Sequence, residues 1–190
     1  TEAPKKTNSE WITLFDGSSL DGWRAYNSDQ MPPGWKIVDS VLTFTTAQIL
    51  EEDYDYKGSR DIIYGAEEFD NFELYLEWNI PKGGNSGIFY HLKEGYDGPP
   101  VVAPEYQLLD DENYAEIHNY ELKDWQLTAA DYAMHLPDTT QKVLYPPGQW
   151  NSSRIVFTPD NVEHWLNGKK VLSFVPWSED WYQRRNSGKW

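Results

Sequence analysis

The clearest alternation of apolar and polar positions lies at residues 71–79. Phe72, Leu74, Leu76 and Trp78 fall on one face there, and Glu73, Tyr75, Glu77 and Asn79 on the other. A period of two over that length predicts a half-buried strand. Residues 82–91 read Lys-Gly-Gly-Asn-Ser-Gly-Ile-Phe-Tyr-His, a Gly-rich turn feeding a short aromatic strand. On that strand Ile88 and Tyr90 share one face, while Phe89 and His91 share the other. Residues 104–111 form a second polar strand with Glu105, Gln107 and Leu109 on one face. The expectation is that these two strands lie in one sheet and build a polar cleft, with Glu77 beside them. The alternative is a pair of ordinary strands with solvated polar faces.

The rest of the chain reads as short strands and turns. Residues 11–15 look like a first strand, followed by a tight loop at 16–23 with two Asp-Gly pairs. Residues 35–38 and 41–45 flank Asp39-Ser40 and predict a two-residue hairpin. A meander closes the chain: a strand at 150–157, a turn at 158–161, a strand at 162–166, an Asn167-Gly168 turn and a returning strand at 169–175. Residues 130–136 read as a further short strand, with Tyr132 and Met134 on one face and His135 on the other. Residues 46–60, 93–104 and 112–129 read as loops, the last with room for a helical turn. Ser178 caps one short helix running to about residue 184, with Glu179 and Asp180 in its first turn. No repeat and no helix of ordinary length is predicted, so the class is all-β, a sandwich or a barrel. Residues 1–10 read as a flexible polar leader and residues 11–190 as a single domain.

Charge narrows the function. The net charge is −15, which disfavours nucleic acid and anionic membranes as partners. No apolar run is long enough for a membrane span. The absence of cysteine excludes disulfides, thiolate chemistry and Cys-based zinc sites. Ten Trp and 13 Tyr beside many carboxylates and amides suit a carbohydrate ligand, since ring faces stack on sugars while polar groups take hydroxyls. The competing use of aromatics is the core of a sheet protein. The chain opens on Thr rather than Met, and the polar leader is read as following a removed export signal, which places the protein in the periplasm or outside the cell.

No phosphate loop, nucleophile elbow or H-E-x-x-H motif is present, so no nucleotide cofactor is expected. The acidic run Glu51-Glu52-Asp53-Tyr54-Asp55-Tyr56 is a candidate calcium loop, but it lacks regular ligand spacing and reads better as a solvated loop. The titratable candidates are the carboxylates and four histidines, His91, His118, His135 and His164. A carboxylate with a histidine serves proton transfer, and two carboxylates serve glycoside hydrolysis.

Several segments, in this order, resemble one family: Leu14-Phe15-Asp16-Gly17 with Leu20-Asp21-Gly22-Trp23, then Gly84-Asn85-Ser86-Gly87-Ile88-Phe89, then Pro104-Glu105-Tyr106-Gln107-Leu108-Leu109-Asp110, then Pro147-Gly148-Gln149-Trp150-Asn151, then His164-Trp165-Leu166-Asn167-Gly168. Together they are similar to the 3-keto-disaccharide hydrolase domain family, from about residue 11 to the end. The resemblance implies a concanavalin-A-like jelly-roll sandwich in an exported bacterial protein acting on sugars oxidised at C3. A C3 ketone acidifies the hydrogen on C2, so a base can remove it and expel the C1 substituent. That chemistry needs a base and a stabiliser for the enolate oxygen, and has room for an acid on the leaving group.

On this resemblance Glu105 or His91 is placed as the catalytic base. Gln107 and Asn85 would orient hydroxyls, Glu77 would be a second carboxylate, and Tyr75 would contact the substrate from the same strand face. His164 is a further candidate for the acid. The chemistry admits a divalent metal on the enediolate, with no ligand set named. Two features depart from the family: His91 stands where many relatives carry Arg, and the family pattern continues past Lys189-Trp190 with a strand pair rich in Gly, Gln, His and aromatics. The jelly roll is therefore expected to lack those strands within residues 11–190. The competing functions are a carbohydrate-binding module on the same sandwich and a surface domain that contacts other proteins. The sequence leaves the oligomeric state open.

Overall fold

The computed structural model describes residues 11–45, 58 and 60–187, and these fall into two compact units divided after Glu68. The leader at residues 1–10, the acidic run at 51–56 and the final Lys189-Trp190 lie outside the described residues.

The first unit is built from two strand pairs. Strand β1 (Trp23–Ala25) pairs antiparallel with β4 (Ile62–Tyr64), and β2 (Trp35–Val38) with β3 (Val41–Phe44). Asp39 and Ser40 carry the β2–β3 turn with φ of 48° and 62°. Both central residues are thus left-handed, as a two-residue hairpin with a strand-matched twist requires. Residues 11–15 are not a strand, contrary to the expectation. Trp11 and Ile12 are exposed, and the Leu14 carbonyl is taken by the Trp23 indole at 2.7 Å rather than by a neighbouring strand. An apolar run makes a strand only where a ladder is offered to it.

The second unit has two antiparallel layers. Four strands form the larger sheet, ordered β10-β9-β8-β5: β5 (Phe72–Trp78), β8 (Asn151–Thr158), β9 (Asn161–Leu166) and β10 (Lys169–Phe174). The smaller layer is β6 (Asn85–Phe89) paired with β7 (Glu105–Leu109). Trp78, Ile155, Phe157, Val162, Leu166 and Phe174 of the larger sheet meet Tyr106 and Leu108 of β7, and Tyr90 just past β6, in one apolar core. Two polar tips inside it are satisfied: the Tyr106 hydroxyl donates to the Trp165 carbonyl at 3.0 Å and the Trp78 indole donates to the Ser153 hydroxyl at 2.8 Å. The class is all-β and antiparallel, and this unit is a two-layer packing of the kind a sandwich needs.

Two short helices decorate it, α1 (Tyr114–His118) and α2 (Glu179–Arg185). Ser178 caps α2 by accepting the Trp181 amide at 3.2 Å, and Glu179 and Asp180 occupy its first turn. The Asn167-Gly168 turn is left-handed at both residues, φ 47° and 77°. Residues 130–136 are not a strand. Asp131 and His135 exchange backbone hydrogen bonds (3.1 and 3.0 Å), so the chain doubles back through Ala133 at φ 65°. The alternation of Tyr132 and Met134 therefore belongs to a turn, with no strand face to share.

Candidate active site

Strands β6 and β7 lie side by side, and their faces away from the core meet as direct pairs. Asn85 stands opposite Leu109, Gly87 opposite Gln107 and Phe89 opposite Glu105. The expected cleft is there. A cavity of about 430 Å³ opens on this face, lined by Asn85, Glu105 and Gln107 on the strands and by tyrosines from the loops over them. That volume falls inside the range of roughly 300–1,000 Å³ that small-molecule pockets occupy.

Glu105 rests on a glycine. A Cβ built on Gly87 would come within 1.9 Å of Glu105 Oε1, so the carboxylate occupies the space a side chain at 87 would fill. The backbone under Glu105 is fixed from the other side: the Tyr132 amide donates to the Glu105 carbonyl at 3.0 Å. Gln107 donates its amide to the Ala130 carbonyl at 3.2 Å and accepts the Ala129 amide at 2.9 Å. The turned segment at 129–132 thus seals the outer edge of β7. Just beyond β7, Asp110 takes the Gly83 amide on Oδ2 at 2.8 Å and the Asn113 amide on Oδ1 at 3.2 Å. Burial pushes the Asp110 carboxyl up, but the bonds from Gly83, Asn113 and the Glu112 backbone together hold it below the usual carboxylate value. His118 Nε2 donates to the Gly83 carbonyl at 2.9 Å. The Gly-rich turn, with Gly83 at φ 71°, is therefore tied at both its amide and its carbonyl.

Three tyrosines, Tyr114, Tyr120 and Tyr132, reach the cavity from the long connection after β7. Buried Gln126 organises two of them. Its Nε2 lies 3.1 Å from the Tyr120 hydroxyl and 3.0 Å from the Tyr132 hydroxyl, and its Oε1 accepts the Lys123 amide at 3.1 Å. These residues were not singled out from the sequence. The available signal was a loop with several tyrosines and no apolar period to give them a core to fill.

The other sequence candidates lie elsewhere. His91 does not face the cavity with Phe89. The backbone turns left-handed at His91, φ 52°, and its ring stacks on Phe157 with centroids 4.4 Å apart and abuts Trp177. Its Nε2 is 3.4 Å from Asp70 Oδ1. Glu77 and Tyr75 stand on the outer face of the four-stranded sheet, where the Tyr75 hydroxyl donates to Glu77 Oε1 at 3.2 Å. Glu77 is not beside β6 and β7, because its strand pairs with β8 and its side chain points from the core into solvent. His164 is fully buried. Its Nδ1 donates to the Ala129 carbonyl at 2.9 Å, so Nε2 accepts the Tyr90 hydroxyl at 2.8 Å. Burial pulls its pKa down to about 4, so it is a neutral core imidazole without access to the cavity. Among the described residues no cluster of three or more His, Asp or Glu is placed to hold a metal ion. A second buried acid, Asp131, hydrogen-bonds His135 Nδ1 at 2.7 Å, and burial pushes its pKa up against that pull.

Residues 10–189 match the family described as the 3-keto-alpha-glucoside-1,2-lyase-like domain. The chain belongs to this family. A curated 3-keto-disaccharide hydrolase of Bacteroides thetaiotaomicron is 36% identical over 181 residues, covering 90% of this chain and 60% of the relative. The chain thus spans 60% of the length of that curated relative. A crystal structure of a candidate glycosyl hydrolase from Parabacteroides distasonis superposes with a TM-score of 0.80 at 43% identity, over 93% of this chain and 78% of that one. A second candidate glycosyl hydrolase of the same organism gives a TM-score of 0.50 at 30% identity, over 58% of this chain and 53% of the other. Family membership fits the cavity: the Asn-Ser-Gly segment and the Pro-Glu-Tyr-Gln segment that carried the resemblance are the two strands that floor it.

Proposed function

We propose that this lyase-like domain cleaves glycosides oxidised at C3, with Glu105 as the base. The observation that carries the reading is the Glu105 carboxylate on the cavity face, cradled on Gly87, with Gln107 and Asn85 further along the same cavity lining. Glu105 removes the C2 proton, which the neighbouring ketone acidifies. The resulting enolate collapses, the C1–O bond breaks and an enone remains. The departing oxygen takes up the proton held by Glu105, which returns the base to its starting state. Addition of water across the enone completes a net hydrolysis. Gln107 and Asn85 supply hydrogen bonds to sugar hydroxyls, and Phe89 with the tyrosines supplies apolar surface for ring faces.

The test follows release of the leaving group from a 3-keto-glucoside and from its unoxidised parent. Release from the keto sugar alone, abolished in Glu105→Gln, is the expected result. Binding of the keto sugar without release would replace the reading by a carbohydrate-binding module, which the tyrosine-lined cavity also suits.

A further inference from the structure

Resting on that reading, we propose that the Tyr132 hydroxyl is the hydrogen-bond donor to the substrate's keto oxygen, and that Gln126 is the residue that orients it. The argument begins with the direction of the Gln126 amide. A backbone N–H only donates, so the side-chain atom 3.1 Å from the Lys123 amide is the oxygen Oε1. The nitrogen Nε2 then faces the tyrosines, and its two protons go to Tyr120 and Tyr132 at 3.1 and 3.0 Å. Tyr132 therefore accepts from Gln126. Its own O–H proton must point away from Gln126, and among the described residues no group takes it. Tyr120 differs, because its hydroxyl also lies 3.4 Å from Gln126 Oε1 and has an acceptor there.

The position of the ring is fixed as well as its polarity. Tyr132 packs edge-on against Trp125, with centroids 5.3 Å apart and an interplanar angle of 89°. Its backbone amide is bonded to the Glu105 carbonyl at 3.0 Å. Base and donor are thus backbone-bonded neighbours, and both line the one cavity. A fixed donor aimed where negative charge develops favours the transition state over the ground state.

In the reaction, Glu105 takes the C2 proton and the C–H pair becomes the C2=C3 bond. The C3=O pair moves onto oxygen, where Tyr132 donates a hydrogen bond and keeps its proton. When the ketone re-forms, the C1=C2 bond is made, the C1–O pair leaves with the aglycone oxygen, and that oxygen takes the proton from the Glu105 acid. Tyr132 ends as it began.

The experiment uses a 3-keto-glucoside with a chromogenic aglycone and compares the wild type with Tyr132→Phe, Gln126→Glu and Glu105→Gln. Tyr132→Phe keeps the ring against Trp125 and is expected to lower kcat by about 100-fold with KM nearly unchanged, the usual cost of one missing oxyanion donor. Gln126→Glu replaces a donor by a carboxylate that accepts, so the Tyr132 proton turns inward and kcat falls. The ratio of its kcat to that of the wild type should rise as the pH drops and the new carboxyl regains a proton to donate. A ratio independent of pH overturns the orienting role of Gln126. Wild-type kcat in Tyr132→Phe, with Glu105→Gln inactive, overturns the donor and leaves the proposed function standing. Full activity of Glu105→Gln, or no turnover by the wild type, overturns that function and this inference with it.

Discussion

Glu77 and Glu105 each stand on a strand that alternates polar and apolar residues, and they end in opposite surroundings. Around Glu77 the outer face of the four-stranded sheet is open. Its row of Tyr75, Arg154, Trp165 and Lys170 runs straight across four strands. Arg154 lies over the Trp165 ring at 4.9 Å and pairs with Glu73, so the charges satisfy one another in solvent. Exposed pairs of that kind add little stability, about 0–1 kcal/mol each. Around Glu105 the same alternation is roofed by residues from the connections that precede and follow β7, among them Pro100, Tyr120 and Tyr132. Alternation sorts side chains to faces. Whether a face becomes a site depends on what the loops lay over it.

The sharpest way to break this comparison is to spoil the cradle. Gly87→Ala puts a methyl 1.9 Å from Glu105 Oε1 and 2.9 Å from its Cγ, so the Glu105 side chain has to swing aside while the atoms nearest the methyl are all its own. The expected outcome is a loss of about 100-fold or more in kcat with the melting temperature little changed, since a displacement of about 1 Å at a reacting group costs that much. Equal losses of activity and stability would show that Gly87 serves the fold alone.

The inner face of the larger sheet offers a second probe. His164 is neutral there, with its pKa pulled from 6.5 to about 4 by burial. Between those values the unfolded chain binds the extra proton, so its contribution, on the order of 3 kcal/mol, is full above pH 6.5 and lost as the pH falls toward 4. Denaturant titrations across that range should show the slope in the wild type and a shallower one in His164→Gln. Parallel slopes would remove His164 as the source.

The smallest effect is expected on the open face. Glu77→Gln and Tyr75→Phe should leave kcat/KM within about twofold of the wild type, as expected of solvated side chains away from any site. A loss of more than tenfold in either would bring the open face into the reaction.

Much of this was legible from spacing. The period of two predicts β5, a two-residue gap between apolar runs predicts the first hairpin and Asn-Gly the second, and the Gly-rich strand pairs with the Glu105 strand as expected. Three kinds of information were not there. His91 left the cleft because its own backbone turns left-handed, and one φ angle is invisible to alternation. His164 shares the apolar face of its strand with Val162 and Leu166, so alternation assigns its side, while its full burial depends on the depth of the opposite layer. Tyr120, Tyr132 and Gln126 sit in the connection after β7, on turns and a single 3-10 turn, where position is set by individual hydrogen bonds and no period exists to read.

The turned segment at 129–132 leaves β7 bonded along both sides, to β6 on one and to Ala129, Ala130 and Tyr132 on the other. A strand held this way has no edge from which to fray. The dwell time of Glu105 and Gln107 in place is then set by cooperative opening of the surrounding structure, which is rare, instead of by the fast local breathing that usually loosens residues beside a cavity.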